Sequence, residues 1–461
     1  MIRRLTALAA IAATLVAAPL AAQDFAVVNA TLATGDGGDP IADGTVIVRG
    51  GQIVYAGPSA GASALPATVI DGQGLWATPG LFAAGSTLGL LDVDGVEDSN
   101  DLSANRSPFS AAIDVSVAVN PSSEHLKVSR AGGVTRAAIT GFPANSIFGG
   151  QGAIIDLGAD PQAVMRPRAF QIVNLGERGA RIAGGSRPSA HALLRNALRE
   201  AGQYGDDSRI VGGATRIERE RNGDDLPLDP RILDNATERG SDTLLTRFDA
   251  AALVPVVRGQ QPLWVQVDRA ADIRSVLALK TEFPDIDMVL VGASEGWLVA
   301  ADIAAAGVPV IADPLNDLPV SFEELAATQS NVGRMVDAGV TVAIGNLTDG
   351  IEQPRNATQY AGNLVALTRL PGASGLTWGE AFAAITSIPA AINGYGGRLG
   401  VLGNGARGDI VLWNGDPLEL DSVPVRVFID GVDQPMESHQ SRLRDRYRVI
   451  DDDDLPKAYD W

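Results

Sequence analysis

The chain has 461 residues, 46% hydrophobic and 20% charged, with no cysteine, three histidines (His125, His191, His439) and a formal charge of −19. Without cysteine there is no disulfide framework, thiolate metal site or thiol nucleophile, and three scattered histidines form no HxH or HExxH motif. The excess of acid repels nucleic acid and anionic lipid, so neither is an expected partner.

In chain order, Met1–Arg4 is a short basic segment, Leu5–Ala18 an apolar run, and Pro19–Gln23 a small-residue region. This pattern reads as an export signal, residues 1–22, cleaved after Ala22 to release a periplasmic protein. The run is too short for a stable membrane span. Phe25–Leu32, Gly44–Arg49, Gln52–Ala56 and Ala67–Ile70 follow as β-branched strands separated by glycine-rich turns.

Past Thr78-Pro79-Gly80 the pattern changes. Thr135–Thr140, Leu263–Val267, Asp287–Val291, Val308–Ile311 and Val340–Ile344 read as buried strands. Ser189–Tyr204, Ala270–Phe283, Gly296–Ala306 and Phe322–Ala338 read as helices between them, and Gly205–Asp242 as a long polar loop. Repeated strand–helix units imply a parallel sheet, either a barrel or an open one. Gly408–Trp413 and Val425–Gly431 return to strand, which suggests that the two chain ends share a domain. Arg442–Trp461, with its Asp451–Asp454 run, reads as a solvated tail.

Three segments carry a family resemblance: Leu75-Trp-Ala-Thr-Pro-Gly-Leu81, Pro262-Leu-Trp-Val-Gln-Val-Asp-Arg-Ala-Ala-Asp-Ile273, and Arg398 through Leu418. Together they resemble the amidohydrolase superfamily, in its imidazolonepropionase-like branch, over Phe25 to Gly431. The resemblance implies an α/β fold, a (β/α)8 TIM-like barrel flanked by a composite β-sandwich formed by both chain ends. The divisions expected are 23–77 and 396–440 for the sandwich, 78–395 for the barrel and 441–461 for the tail.

The family would use zinc or another divalent metal, which lowers the pKa of a bound water from about 15.7 to about 7. Carried over residue by residue, the family's ligand positions hold different side chains here. Gly85 and Thr87 occupy the first-strand histidine pair, Gln266 the next histidine, Gly292 the sixth-strand histidine, and Leu347 the region of the late catalytic aspartate. Glycine offers no side-chain donor, threonine no imidazole nitrogen, and glutamine only a neutral amide oxygen. The expectation is a member without the usual metal site. Thr87, Gln266 and Asp268 then become candidate ligand-binding residues at the strand ends.

Two other constellations stand beside this one. Gly292-Ala-Ser-Glu-Gly296 fits GxSxG after a strand, with Ser294 as nucleophile and His439 as the only downstream histidine. The plainer reading is a turn whose serine caps a helix. Asp92, Asp94, Glu97, Asp98 and Asp101 crowd one loop, where carboxylates suit Ca²⁺. The spacing is not that of an EF-hand, and a solvated acidic loop is the plainer reading. Gly149–Gly152 and Gly176–Gly185 lack the P-loop ending and read as turns, and His125 and His191 as ordinary helix histidines.

Two functions are therefore expected: a pseudo-hydrolase that binds a small molecule or protein, or an active hydrolase of non-peptide C–N bonds with a carboxylate-rich site. A serine hydrolase through Ser294 is a third. An oligomer is compatible with any of them.

Overall fold

A computed structural model describes residues 22–93, 95–210, 244–345, 351 and 353–448. The export-signal reading of residues 1–22, apart from Ala22, lies outside the described residues, as do Asp94, Leu347 and the Asp451–Asp454 run.

The first strands, β1 (Phe25–Leu32), β2 (Ile41–Arg49), β3 (Gln52–Pro58), β4 (Thr68–Asp71) and β5 (Trp76–Pro79), form five of the eight strands of one sheet. The barrel strands are β6 (Leu81–Ser86), β7 (Val134–Ile139), β8 (Phe148–Asp156), β9 (Val164–Asn174), β10 (Leu263–Val267), β11 (Met288–Gly292), β12 (Val310–Ala312) and β13 (Val342–Ile344). The chain then returns to the first sheet as β14 (Ile410–Trp413), β15 (Pro424–Ile429) and β16 (Val432–Asp433). That sheet runs β16-β15-β14-β5-β1-β2-β3, with β4 beside β1. The chain ends therefore meet where β14 pairs antiparallel with β5. Trp413 Nε1 donates to Thr78 Oγ1 at 3.0 Å across this seam, and Phe25 stacks on Phe428 at 4.3 Å.

The second sheet runs in sequence from β6 to β13 and curls nearly closed. Its edges are bridged by chain rather than by direct pairing: Phe82 N donates to Ile385 O and Ile344 N to Ala384 O, each at 3.0 Å. β8 is antiparallel to both neighbours, so the barrel departs from eight uniform strand–helix repeats at that one strand. Gly149–Gly152 lies inside β8 and is strand rather than the expected turn. A single run alternating with small residues carries little to distinguish the two.

Strand alternation sorts the barrel side chains. Phe82, Ala138, Ile154, Phe170, Ile172, Trp264, Val289, Val291, Ile311 and Ala343 form a core of their own inside it. Phe170 and Trp264 lie face to face at 3.7 Å and fill the lumen. Gly80, in the Thr-Pro-Gly segment between the sheets, has no room for a side chain, because a Cβ would stand 2.1 Å from Thr135 Oγ1.

The lower end of the barrel is sealed by charge. Arg136 of β7 is 1% exposed and grips Asp409 through Nε and Nη2 at 2.7 and 2.8 Å, with Asp430 3.0 Å from Nη2. Asp156 stands 3.7 Å away. Burial pushes the Asp156 carboxyl up to about 6 despite Arg136. Burial works the same way on Asp430, but Arg136 and Arg407 outweigh it and hold that group below the usual range.

The helices differ from expectation in several places. Glu177–Ile182 is a helix within the Gly176–Gly185 stretch read as a turn, and the Ala270–Phe283 helix is divided into Ala270–Leu277 and Leu279–Glu282. The helix expected at Ser189–Tyr204 spans Arg187–Ile210 and so takes in the start of the expected loop; residues 211–242 lie outside the described set. Only Asn331–Asp337 of the Phe322–Ala338 segment is helical; in its first part the Glu323 carboxylate is drawn to Glu177 N and Arg187, and Glu324 turns back on Val320 N. The tail begins as a helix, His439–Tyr447, capped by Ser438. Among the described residues no helix is long and apolar enough to cross a membrane.

Candidate functional site at the barrel mouth

The C-terminal ends of parallel barrel strands present side chains that no further strand covers, and this is where barrel enzymes place their chemistry. On β10, Trp264 faces the lumen, so Gln266 and Asp268 continue the same face toward the mouth. Gln266 is held by Asn174 at the end of β9, whose Nδ2 donates to Gln266 Oε1 at 2.9 Å. Asn174 Oδ1 accepts from Gly176 N and Gly179 N at 3.1 and 2.7 Å, which fixes its orientation. The Gln266 Nε2 amino group is therefore directed away from Asn174.

Asp268 has a different partner set. Ser294 donates to its Oδ1 through Oγ at 2.8 Å and through the backbone N–H at 3.2 Å, and Asn316 Nδ2 reaches Ser294 Oγ at 3.4 Å. Asp268 keeps partial solvent contact but is enclosed by protein, and this burial pushes its carboxyl up to about 7. Ser294 lowers it by its hydrogen bonds, while Glu323 and Glu324 raise it further.

Gly292 makes that arrangement possible. Its φ is +95°, and a Cβ there would lie 2.5 Å from Asp268 Oδ1. Ala293 also has positive φ, 51°, and the turn aims backbone N–H groups at Asp268 and its carbonyl: Ser294 N at Oδ1, Glu295 N at O. Successive amides in such conformations form an anion cradle, and here the chain's own carboxylate fills it. The space a side chain at 292 would need is the space Asp268 uses.

At the end of β6, Gly85 and Thr87 are both buried. Thr87 is 1% exposed and its Oγ1 has no hydrogen-bond partner among the described residues. Above the mouth, Arg187 reaches Asp272 at 2.6 Å and Glu323 at 3.3 Å. Glu295 accepts from Ala270 N at 3.0 Å at the start of the helix Ala270–Leu277. The helical turn Gly296–Val299 that follows Ser294 has no side-chain cap bond, so Ser294 is not the cap the turn reading expected.

The remaining expectations disperse. Asp92 Oδ2 accepts from Asn120 Nδ2 at 2.8 Å, and Glu97, Asp98 and Asp101 point to solvent. Among the described residues no three histidines or carboxylates gather as a metal set. His439 is exposed, with its backbone N–H on Glu124, while the Ser294 hydroxyl is bonded to Asp268. His125 sits half-buried on the helix Glu124–Ala131. His191, on Arg187–Ile210, has its pKa pushed down by burial and by Arg195. A cavity of about 340 Å³ opens to the side, between Phe109, Phe148, Leu193 and Asp249, and contains none of the strand-end residues.

Asn174, Asn316 and Arg187 were not singled out by sequence. Asn174 was within reach, since a polar residue ending a buried strand on its inner face belongs at the mouth. Asn316 and Arg187 arrive from loop and helix ends whose placement no local pattern reveals.

A family model described as Amidohydrolase family matches residues 232–432, from before β10 through β16. A curated relative, Amidohydrolase tasK of Hapsidospora irregularis, is 26% identical over 421 residues, which cover 85% of this chain and 40% of that protein. Over residues 232–432 the chain is thus similar to the amidohydrolase family. The fold is similar to that of an amidohydrolase from Thermotoga maritima MSB8, with a TM-score of 0.71 at 22% identity, over 89% of this chain and 99% of that one. Molinate hydrolase matches with a TM-score of 0.51 at 15% identity, over 96% and 99%. The chain thus spans two fifths of the length of the curated relative but nearly the whole of each solved structure.

Proposed function

We propose that this chain is an exported amidohydrolase-fold protein that binds its ligand or partner at the barrel mouth without metal-dependent hydrolysis. The observation that carries this reading is the position of Asp268, whose carboxylate uses the volume a side chain at 292 would need. A superfamily zinc ion needs imidazole or carboxylate donors converging from several strand ends. Gly85 and Gly292 contribute no side chain, Thr87 a buried hydroxyl, and Gln266 an amide oxygen already bonded to Asn174. That donor set does not fit a divalent metal, and no step is routed through one. What remains is hydrogen-bonding chemistry: the Gln266 amino group as donor, and Asp268 as donor or acceptor according to its protonation. The Arg3-Arg4 and Leu5–Ala18 pattern supports export.

The test is elemental analysis of the purified chain, with hydrolysis of a panel of N-acyl and cyclic amides before and after zinc is added. No stoichiometric metal and no zinc-stimulated turnover are expected. Stoichiometric zinc, with turnover abolished by a chelator, would overturn the reading.

A second reading has one observation in its favour. A carboxyl at about 7 is matched to general-base work near neutral pH. Asp268 would then activate water against a C–N bond, and Asp268→Asn would abolish metal-independent turnover. Ser294 is 5% exposed and pairs with Asp268 rather than with a histidine, so the serine–histidine pair expected with His439 does not form.

A further inference from the structure

Two buried arginines stand close to the start of β7 and are neutralised differently. Arg136 is 1% exposed and is met by Asp156, Asp409 and Asp430. Arg130, near the end of the helix Glu124–Ala131, is 4% exposed, and among the described residues no carboxylate comes within ion-pair distance of it. Its bonds go to two carbonyls instead: Nε donates to Pro435 O at 3.3 Å and Nη1 to Leu157 O at 3.0 Å. Nη2 has no partner among the described residues. Carbonyls orient a guanidinium without cancelling its charge, and a buried arginine is ordinarily paired. Burial accordingly pushes Arg130 below its ordinary pKa, with Glu124 opposing it.

Arg130 lines a cavity of about 470 Å³ on the flank of the lower barrel end. Lys127 comes from the same side of the same helix, three positions earlier. Glu124 Oε1 pairs with Lys127 at 2.7 Å, and its Oε2 accepts from His439 N at 2.9 Å. The second bond ties the helix His439–Tyr447 to this place, and Arg442 of that helix completes the lining. Lys127, Arg130 and Arg442 thus surround a single interior carboxylate, Glu124. The acids of the lining, Asp160 and Glu437, are exposed to solvent. In a chain of formal charge −19, this is a local excess of cation around a hollow.

We propose that this cavity binds a small molecule through a phosphate or carboxylate group, with Arg130 as the anchor and Lys127 and Arg442 beside it. An oxyanion accepts charge-assisted hydrogen bonds from the open Nη2, on a fork that two carbonyls already orient. It also supplies the counter-charge that Asp409 supplies to Arg136. The volume leaves room beyond the oxyanion for a short molecular body, while the negative field of the whole chain works against polyanions. The cavity lies toward the start of β7, at the opposite end of the barrel from Asp268. This inference goes beyond the proposed function and does not depend on whether the mouth hydrolyses anything.

The test is titration of the full chain with inorganic phosphate and with succinate, followed by calorimetry and by melting temperature against sodium chloride of equal ionic strength. Saturable binding of at least one, half-complete at about 1 mM or below, is expected, and the tighter of the two assigns the group. Arg130→Gln should abolish it. That variant also loses the bonds to Leu157 and Pro435, so the exposed Arg442→Gln is the second: its melting temperature in chloride should be unchanged and its affinity about tenfold lower. Binding of neither anion beyond chloride would overturn the proposal and leave Arg130 a clasp between two carbonyls. Binding that Arg442→Gln leaves intact would overturn it too. Binding removed by Asp268→Asn would do the same, by placing the anion at the mouth.

Discussion

The two ends of the barrel solve the same problem, polar groups inside protein, in opposite ways. At the lower end Arg136 is fully buried and satisfied by carboxylates from three segments, so that barrel and chain-end sheet are tied by charge. At the strand ends of the upper face, beneath the Arg187 ion pairs, the polar groups pair as neutral amides or share a proton: Asn174 with Gln266, and Ser294 with an Asp268 whose carboxyl sits near 7. The lower end is bonded for permanence, and the upper keeps donors and acceptors that can be exchanged. Barrel folds divide stability and function between their faces in this sense.

The sharpest way to break the comparison is at Arg136. Arg136→Met leaves Asp409 buried without its cation, and a broken buried pair costs about 3–5 kcal/mol. Denaturant unfolding should show a loss of that size, and a smaller effect than any mouth substitution would reverse the assignment of roles.

Next in size is Gly292→Ala, which meets both the backbone and the Asp268 carboxylate. A non-glycine residue at such a φ costs about 1–3 kcal/mol, and the contact with Asp268 adds to it. Combining it with Asp268→Ala should recover part of the loss. A double-mutant cycle with no coupling would mean that Gly292 serves the turn alone.

Proton linkage separates the two ends further. The Asp268 carboxyl is raised from 3.8 to about 7, so the folded state holds that proton more tightly than the unfolded chain. Its contribution to stability is fully present below pH 3.8, falls as pH rises through about 7, and stays lost above that. Asp156, raised to about 6, adds a smaller slope of the same sign. Asp268→Asn should therefore flatten the decline in melting temperature between pH 5 and pH 8 without removing it, and an unchanged slope would contradict the burial of Asp268.

How far all this was legible depends on what a segment's partners are. β10, β11 and β13 were readable because a buried parallel strand is a short apolar run, whatever lies next to it. The meeting of the chain ends was readable because the chain opens and closes in strands around an α/β middle, and β14 pairs with β15 on one edge and β5 on the other. Gly292 was visible only as a residue without a side chain; that its emptiness serves Asp268 is a three-dimensional fact. The first part of the Phe322–Ala338 segment misled for a related reason. It reads as the start of a helix, but Glu323 bonds to Glu177 N across the fold and Glu324 turns back on Val320 N.

The smallest expected effect is at Ser294, and it bears on what the mouth can do. Ser294→Ala removes the 2.8 Å bond to Asp268 but keeps the backbone N–H at 3.2 Å, so the loss in stability should be about 0.5–1.5 kcal/mol. The proton should respond more clearly than the fold. Ser294 holds the Asp268 carboxyl down against burial, so without its hydroxyl the midpoint should rise above about 7, read by carbon NMR of the carboxyl. If Ser294 were a nucleophile, ester turnover would vanish while stability barely changed. If it positions Asp268, the titration moves and any turnover follows it along the pH axis. The two roles thus separate on a single variant, because one needs the hydroxyl to react and the other needs it only to donate.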